Sequence, residues 1–130
     1  MSINYLRAGA LFGLLAVAIG AFGAHGLKQI VEAPQIAIFE TGVRYQFYHA
    51  LALIALGLLM LHLPNNHLRM AGRLFIVGII CFSGSIYLLA VKDVFLPSGF
   101  EKIIGPITPI GGLMLIAGWF FFYLGIGKRG

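Results

Sequence analysis

Charged residues and cysteine are both scarce in this sequence. Asp, Glu, Lys and Arg together make up 10% of the 130 residues, whereas soluble domains carry about 25%. A water-soluble domain is excluded, because its surface would need far more charge. The one cysteine, Cys81, lies inside an apolar segment, which excludes an intrachain disulfide and a Cys-x-x-Cys pair. What the sequence has instead is hydrophobic residues, which form 60% of the chain.

Four apolar segments lie at about 8–26, 47–63, 74–91 and 107–126. Each is close to the roughly 20 residues that a helix needs to cross a bilayer. Backbone polar groups in hydrocarbon must pair within the chain, so the segments are predicted to be helices. The first could also be read as a signal peptide, but its apolar stretch exceeds the usual length of about 7–15 residues. We therefore expect an all-α membrane protein, a four-transmembrane-helix bundle forming one domain over residues 1–130, with no room for a separate soluble catalytic domain.

The basic residues predict the orientation of these spans. An even number of crossings places both termini on one side. Arginine and lysine bias in short loops then favours the N-in, C-in arrangement. The basic residues are scattered singly, so nucleic-acid binding is not expected. The basic residues on the side of the termini are Arg7, Arg69, Arg73, Lys128 and Arg129. The other side has the basic residues Lys28, Arg44, Lys92 and Lys102 and the acidic residues Glu32, Glu40, Asp93 and Glu101.

The connections between the spans differ in character. Residues 62–67 carry the Pro and Asn residues of a tight turn. The connections at about 27–46 and 92–106 are longer and still apolar. They are expected to hold short amphipathic helical segments that lie in the membrane interface on the non-cytoplasmic side.

A polar row leads into the second span. On a helix, Glu40, Arg44 and Tyr48 share one face at four-residue spacing, and Tyr45 and His49 lie beside them. The order of Glu40 before Arg44 favours an ion pair near the interface. Two interpretations remain open: an anchor that fixes the depth of the helix, or a site for a headgroup, an ion or a small ligand.

Histidine and serine residues in the spans are candidates for metal ligation and for nucleophilic catalysis. His25 is expected at the membrane level of His49 if their helices are neighbours. Two histidines without a carboxylate at a suitable spacing specify no metal or haem site, so neither a metal nor a cofactor is predicted. Ser83 and Ser85 lack the G-x-S-x-G pattern, and such serines usually bond to a backbone carbonyl. No enzymatic site is predicted.

Small residues recur at helical spacing. Gly9 and Gly13 form a G-x-x-x-G pattern. Such residues let two helix backbones approach closely. The pattern leaves open whether the partner helix belongs to this chain or to another subunit. The residues predicted to pack are Gly9, Gly13, Gly20, Gly111, Gly118 and Gly125.

Four motifs, at 20–27, 40–52, 82–87 and 105–112, resemble the transmembrane protein 256 family, also called domain of unknown function 423. The resemblance implies a small protein of the bacterial inner membrane, with mitochondrial relatives and no established activity. Polar residues within these motifs coincide with the polar row described above. The expected polar pocket comprises His25, Glu40, Arg44, Tyr45, Tyr48, His49, Ser83 and Thr108.

The predicted function is non-enzymatic. We expect a small accessory protein in the lipid bilayer that associates through its glycine-lined faces with copies of itself or with a larger membrane complex. The alternative is binding or transport of a small ligand, an ion or a lipid at the polar pocket near the non-cytoplasmic surface.

Overall fold

The computed structural model describes residues 2–128, in which the regular elements are all helices and no β-strand occurs. Arg129, counted above among the terminal-side cations, lies outside the described residues. Four stretches are long and apolar enough to cross a membrane, namely Ser2–Gln29, Ala33–Met60, Asn66–Ala90 and Glu101–Gly125. The predicted all-α, four-span fold class is thereby confirmed. The helices are α1 (Ser2–His25), α2 (Ala33–Met60), α3 (Asn66–Ala90), α4 (Lys92–Phe95), α5 (Glu101–Ile104) and α6 (Ile107–Gly125), with a 3-10 turn at Leu27–Gln29.

The long helices start earlier than the apolar segments suggested. Helix α2 begins at Ala33, so most of the stretch 27–46 is helix and the prediction of a connection there was wrong. Pro34 lies in the first turn of α2, where a proline costs no hydrogen bond. Ile36 and Phe39 then pack their side chains into a cluster with Leu27. Helices α1 and α3 likewise begin ahead of residues 8 and 74, because an apolar window marks hydrocarbon rather than the ends of a helix.

Helices α2 and α3 form the central pair of the fold. Helix α1 packs mainly on α2, and α6 packs mainly on α3. One apolar core joins all four, with Leu53 and Leu56 from α2, Phe75 from α3, Tyr5 from α1 and Leu115 from α6. The flanking helices therefore turn much of their surface outward, and the large apolar side chains exposed there are suited to contact with lipid.

Glycines set the close approach of the helix pairs. A Cβ on Gly9 would lie 2.8 Å from the carbonyl oxygen of Ala50, and one on Gly111 would lie 2.8 Å from the Cα of Phe82. These two glycines hold α1 against α2 and α6 against α3. Gly13 differs, because a Cβ there would meet nothing within 4 Å. The other predicted packing glycines, Gly20, Gly118 and Gly125, face Val43, Phe75 and Leu68 respectively.

Candidate functional site

Buried polar side chains inside the bundle are hydrogen-bonded to the protein. Each of them makes at least one bond to a side chain or a backbone carbonyl. The residues concerned are Gln46, His49, Asn65, Ser83 and Ser85.

Gln46 links three helices. Its Nε2 donates to the carbonyl oxygen of Phe12 in α1 at 2.9 Å, and its Oε1 accepts from the hydroxyl of Tyr87 in α3 at 2.6 Å. The sequence prediction missed Gln46, although it lies between Tyr45 and Tyr48 in the same stretch of the chain. The available signal was its spacing from Gly42 and Leu53, since these three residues fall on one buried face of α2.

His49 has both ring nitrogens engaged. Nδ1 donates to the carbonyl oxygen of Tyr45 at 2.7 Å, and Nε2 accepts from the indole N–H of Trp119 at 2.9 Å. This pair of partners assigns the neutral tautomer with the proton on Nδ1. Phe75 packs edge-on against the imidazole ring, with its centroid 5.5 Å away. Neither nitrogen of His49 is left open to a ligand.

The expectation that His25 and His49 share a membrane level was wrong. Gly23 faces Phe39, whereas Gly9 faces Ala50. His25 therefore lies beside the start of α2, roughly 15 Å along the helix from His49. The cause is the length of α2, which extends the helix past the point where the sequence pattern placed a connection.

The expected ion pair between Glu40 and Arg44 is also absent. Both residues are exposed, and Arg44 Nη2 instead donates to Thr41 Oγ1 at 3.4 Å. Within residues 2–128 the ion pair present is between Lys92 and Asp93, at 3.7 Å. Arg44 thus sits within a membrane-spanning helix without a carboxylate partner.

The structure divides the eight predicted pocket residues among several places. Tyr45 and His49 stack on each other with ring centroids 6.2 Å apart. Ser83 donates to the carbonyl oxygen of Gly42 at 2.7 Å, and Thr108 shares a 2.6 Å hydrogen bond with Ser85. The remaining four, His25, Glu40, Arg44 and Tyr48, are exposed.

Two lateral clefts open from the bundle towards the surrounding membrane. A crevice of about 350 Å³ between α2, α3 and α6 is lined by Tyr45, His49, Phe82 and Trp119 among others. A groove of about 320 Å³ between α1 and α2 has Arg44 at its edge. The groove is otherwise apolar or aromatic, so a molecule that enters it from the bilayer would contact hydrocarbon and one cation.

A third cleft lies at the start of α2. It has a volume of about 250 Å³ and includes Glu32, Gln35 and Asp93. The Oε1 atom of Gln35 is buried and has no hydrogen-bond partner within residues 2–128. In the same range, no three His, Cys, Asp or Glu side chains are placed to hold a metal ion.

Four membrane-spanning helices around a hydrogen-bonded interior define a small multi-span membrane protein. The family described as "Protein of unknown function (DUF423)" matches residues 19–112, and the chain belongs to this family. The family resemblance of the sequence motifs is thereby confirmed.

Relatives from distant bacteria cover nearly the whole chain. A UPF0382 membrane protein of Staphylococcus saprophyticus is 40% identical over 124 residues, which are 95% of this chain and 97% of the relative. One from Haemophilus influenzae is 40% identical over 119 residues, 92% and 90% of the two chains. The UPF0382 membrane protein YwdK of Bacillus subtilis is 40% identical over 116 residues, 88% and 89% of the two chains. No solved structure matches the chain.

Proposed function

We propose that this chain is a non-enzymatic membrane protein that associates, through the outer face of α1, with a copy of itself or with a larger membrane complex. The bonded polar core of the bundle supports this proposal, because its five buried polar side chains are hydrogen-bonded to the protein, and the unpartnered Oε1 of Gln35 lies in the separate cleft at the start of α2. A transport path or a catalytic centre would need polar atoms free to meet a substrate. The surface that would bind a partner is then the lipid-facing outside of the helix bundle.

Gly13 is the observation that carries the proposal. Five of the six predicted packing glycines contact other helices of this chain, but Gly13 has open space where a Cβ would be. Ala10, three residues before Gly13, is exposed next to it on α1. A face of small residues lets a second helix approach closely in lipid.

Replacement of Gly13 by Leu tests this association. Because nothing lies near its Cβ position, the G13L variant should fold normally while blocking the approach of a second helix. A18L is the matched control, since Ala18 is exposed on another side of the same helix. After extraction in mild detergent, wild type and A18L should keep a stoichiometric partner or a dimer, and G13L should lose it. Identical assembly states for all three would refute the proposal.

A second candidate function is binding of a small bilayer-resident molecule in the crevice of α2, α3 and α6. One observation favours it: Tyr45, which is 41% exposed, lines this crevice together with His49 and Trp119. A hydroxyl in an apolar setting needs an acceptor. A weakly polar, otherwise apolar molecule would supply one.

Solvent extraction of the purified protein tests this candidate. Mass spectrometry should find one compound in stoichiometric amount with wild type and with the control Y123F, whose tyrosine is exposed on α6. The Y45F variant should lose it. Extracts of wild type that hold only bulk phospholipid would reject the crevice as a ligand site.

We propose that both termini face the cytoplasm of a bacterium, with the chain in its inner membrane. Arg7, Arg69, Arg73 and Lys128 support this orientation, because they lie towards the end of the bundle formed by the α2–α3 turn and the termini. In a C81S background, an impermeant maleimide should label S98C on intact spheroplasts, and H62C only after permeabilisation. The reverse pattern would invert the orientation.

A further inference from the structure

Arg44 is a cation inside a membrane span that lacks a protein counter-charge. Arg44 lies in the helix that spans the membrane, three residues before the apolar segment at 47–63, so its backbone is roughly 5 Å from the edge of that segment at about 1.5 Å per residue. No carboxylate of the described chain forms an ion pair with Arg44. A charged side chain next to the hydrocarbon favours a partner of opposite charge.

The side chain of Arg44 extends towards the nearer membrane surface. Its Nη2 reaches Thr41 Oγ1, one turn towards the start of the helix, at 3.4 Å. Long side chains on a helix point towards its N-terminus, and arginine near a helix end brings its charge to the interface in this way. The planar guanidinium keeps further N–H donors, which match the oxygen atoms of a phosphate group.

Arg44 also lines an apolar groove between α1 and α2. Ala16 and Gly20 of α1 leave room between the two helices, and Val43, Phe47 and Tyr48 of α2 form the facing wall. The groove has a volume of about 320 Å³ and opens to the side, where the acyl chains of the bilayer lie. A cation above an apolar groove is complementary to a phosphate joined to an acyl chain.

We propose that Arg44 and the groove between α1 and α2 form a binding site for one anionic phospholipid. The lipid phosphate accepts hydrogen bonds from the Arg44 guanidinium, and one acyl chain lies along Ala16 and Gly20. The site needs no second protein, so lipid binding is measured apart from the association proposed for α1, although Gly13 lies on the same face of that helix as Ala16 and Gly20.

Glu40 is the acidic group nearest to Arg44 along the helix, one turn away. Its carboxylate competes with the phosphate for the guanidinium and repels the lipid headgroup. The E40Q variant should therefore bind the lipid at least as tightly as wild type. Weaker binding by E40Q would show that Glu40 positions the Arg44 side chain. Arg44 would then have a carboxylate partner, which contradicts the unpaired cation on which the proposed site depends.

Native mass spectrometry of the full chain in mild detergent tests the site with added phosphatidylglycerol. Wild type should retain one lipid, and R44Q should bind about tenfold more weakly, the loss expected for one charge-assisted contact of about 1.4 kcal/mol. K28Q is the matched control, because it removes an exposed lysine at the same end of the bundle. Its affinity should equal that of wild type. R44K, which keeps the charge without the planar fork, should lie between the two.

Three further probes identify the source of the phosphate. Diacylglycerol presents the chains alone, and glycerol phosphate and inorganic phosphate present the anion alone; none of the three should displace phosphatidylglycerol. Equal binding of diacylglycerol, displacement by either free anion, or unchanged lipid binding by R44Q would overturn the proposal. Thermal unfolding of each variant in the same detergent shows that it is folded, and R44K carries the test if R44Q is not.

Discussion

The indole N–H of Trp119 in α6 donates a hydrogen bond to Nε2 of His49 in α2, with 2.9 Å between the nitrogen atoms. The ring of Phe75, from α3, packs edge-on against both, with centroids 5.5 Å from His49 and 5.2 Å from Trp119. Three helices therefore meet at one bonded pair. Since Trp119 is the single tryptophan of the chain, its fluorescence reports on this contact directly.

We predict energetic coupling between His49 and Trp119. In a double-mutant cycle of H49F and W119F, the free energies of unfolding should differ from additivity by about 0.6 kcal/mol and by no more than about 1.7 kcal/mol, as for other hydrogen bonds between membrane helices. The free energy of unfolding of each variant is measured in mixed detergent micelles, with circular dichroism as the probe. Strict additivity would show that the bond contributes nothing to stability. The emission spectrum of H49F should also differ from that of wild type.

A methyl group at Gly111 should separate α6 from α3. Its Cβ would lie 2.8 Å from the Cα of Phe82, and backbone cannot move aside as a flexible side chain can. We expect G111A to lower the free energy of unfolding by about 1–3 kcal/mol. G84A is the control, because Gly84 is also helical and nothing lies within 4 Å of its Cβ position. Thermal unfolding should show G84A no less stable than wild type, since alanine favours helix.

The two halves of the Asn65 amide have separable roles. Its Oδ1 accepts from the backbone N–H of Leu68 at 3.0 Å and caps α3, while Nδ2 donates to the carbonyl oxygens of Gly125 and Lys128 at 3.0 and 3.2 Å. N65D keeps the cap and loses the donor, and N65A loses both. Hydrogen exchange at the end of α6 should quicken in both variants. Exchange in the first turn of α3 should quicken in N65A alone, where the lost cap costs about 1 kcal/mol.

Replacement of Gln46 should loosen α1. Q46L removes the bonds to Phe12 and to Tyr87, whereas Y87F removes only the latter. We expect Q46L to cost about 1–2 kcal/mol of stability, and Y87F about half as much. Amide exchange around Phe12 should increase in Q46L and stay near wild type in Y87F. An equal increase in both variants would assign the effect to α3 rather than to the bond with α1.

The four spans were predictable because bilayer crossing has a simple physical requirement. A helix of about 20 apolar residues satisfies it, and little else does. Packing glycines were predictable for a similar reason, since a residue without a side chain in an apolar helix usually marks a close neighbour. Gly9 and Gly111 have such neighbours within the chain, and Gly13 does not. The pattern of small residues is the same in both cases, so sequence alone does not separate them.

The polar site was less predictable, because it depends on where α2 begins and on how it is rotated. Placing the start of the second span near residue 47, whereas α2 begins at Ala33, put His25 level with His49. Rotation decides that Gln46 is buried while Arg44 and Tyr48 are exposed. That rotation is set by the packing of Gly42 against Tyr87 and Ile86 in α3, a contact between residues distant in the chain.

The amide of Asn65 also constrains the order in which the protein assembles. Asn65 leaves the ribosome 60 residues before its acceptor at Gly125, so three helices enter the bilayer while its acceptors on the last one are still unmade. Until then the carbonyl of Leu63 is the one of its three protein acceptors already made. The hairpin of α2 and α3 is thus synthesised before the hydrogen bond from Asn65 to Gly125 can form. That bond forms once α6 has been made. Translation stopped short of Gly125 would leave an unfinished product that lacks the bonds from Asn65 to Gly125 and Lys128.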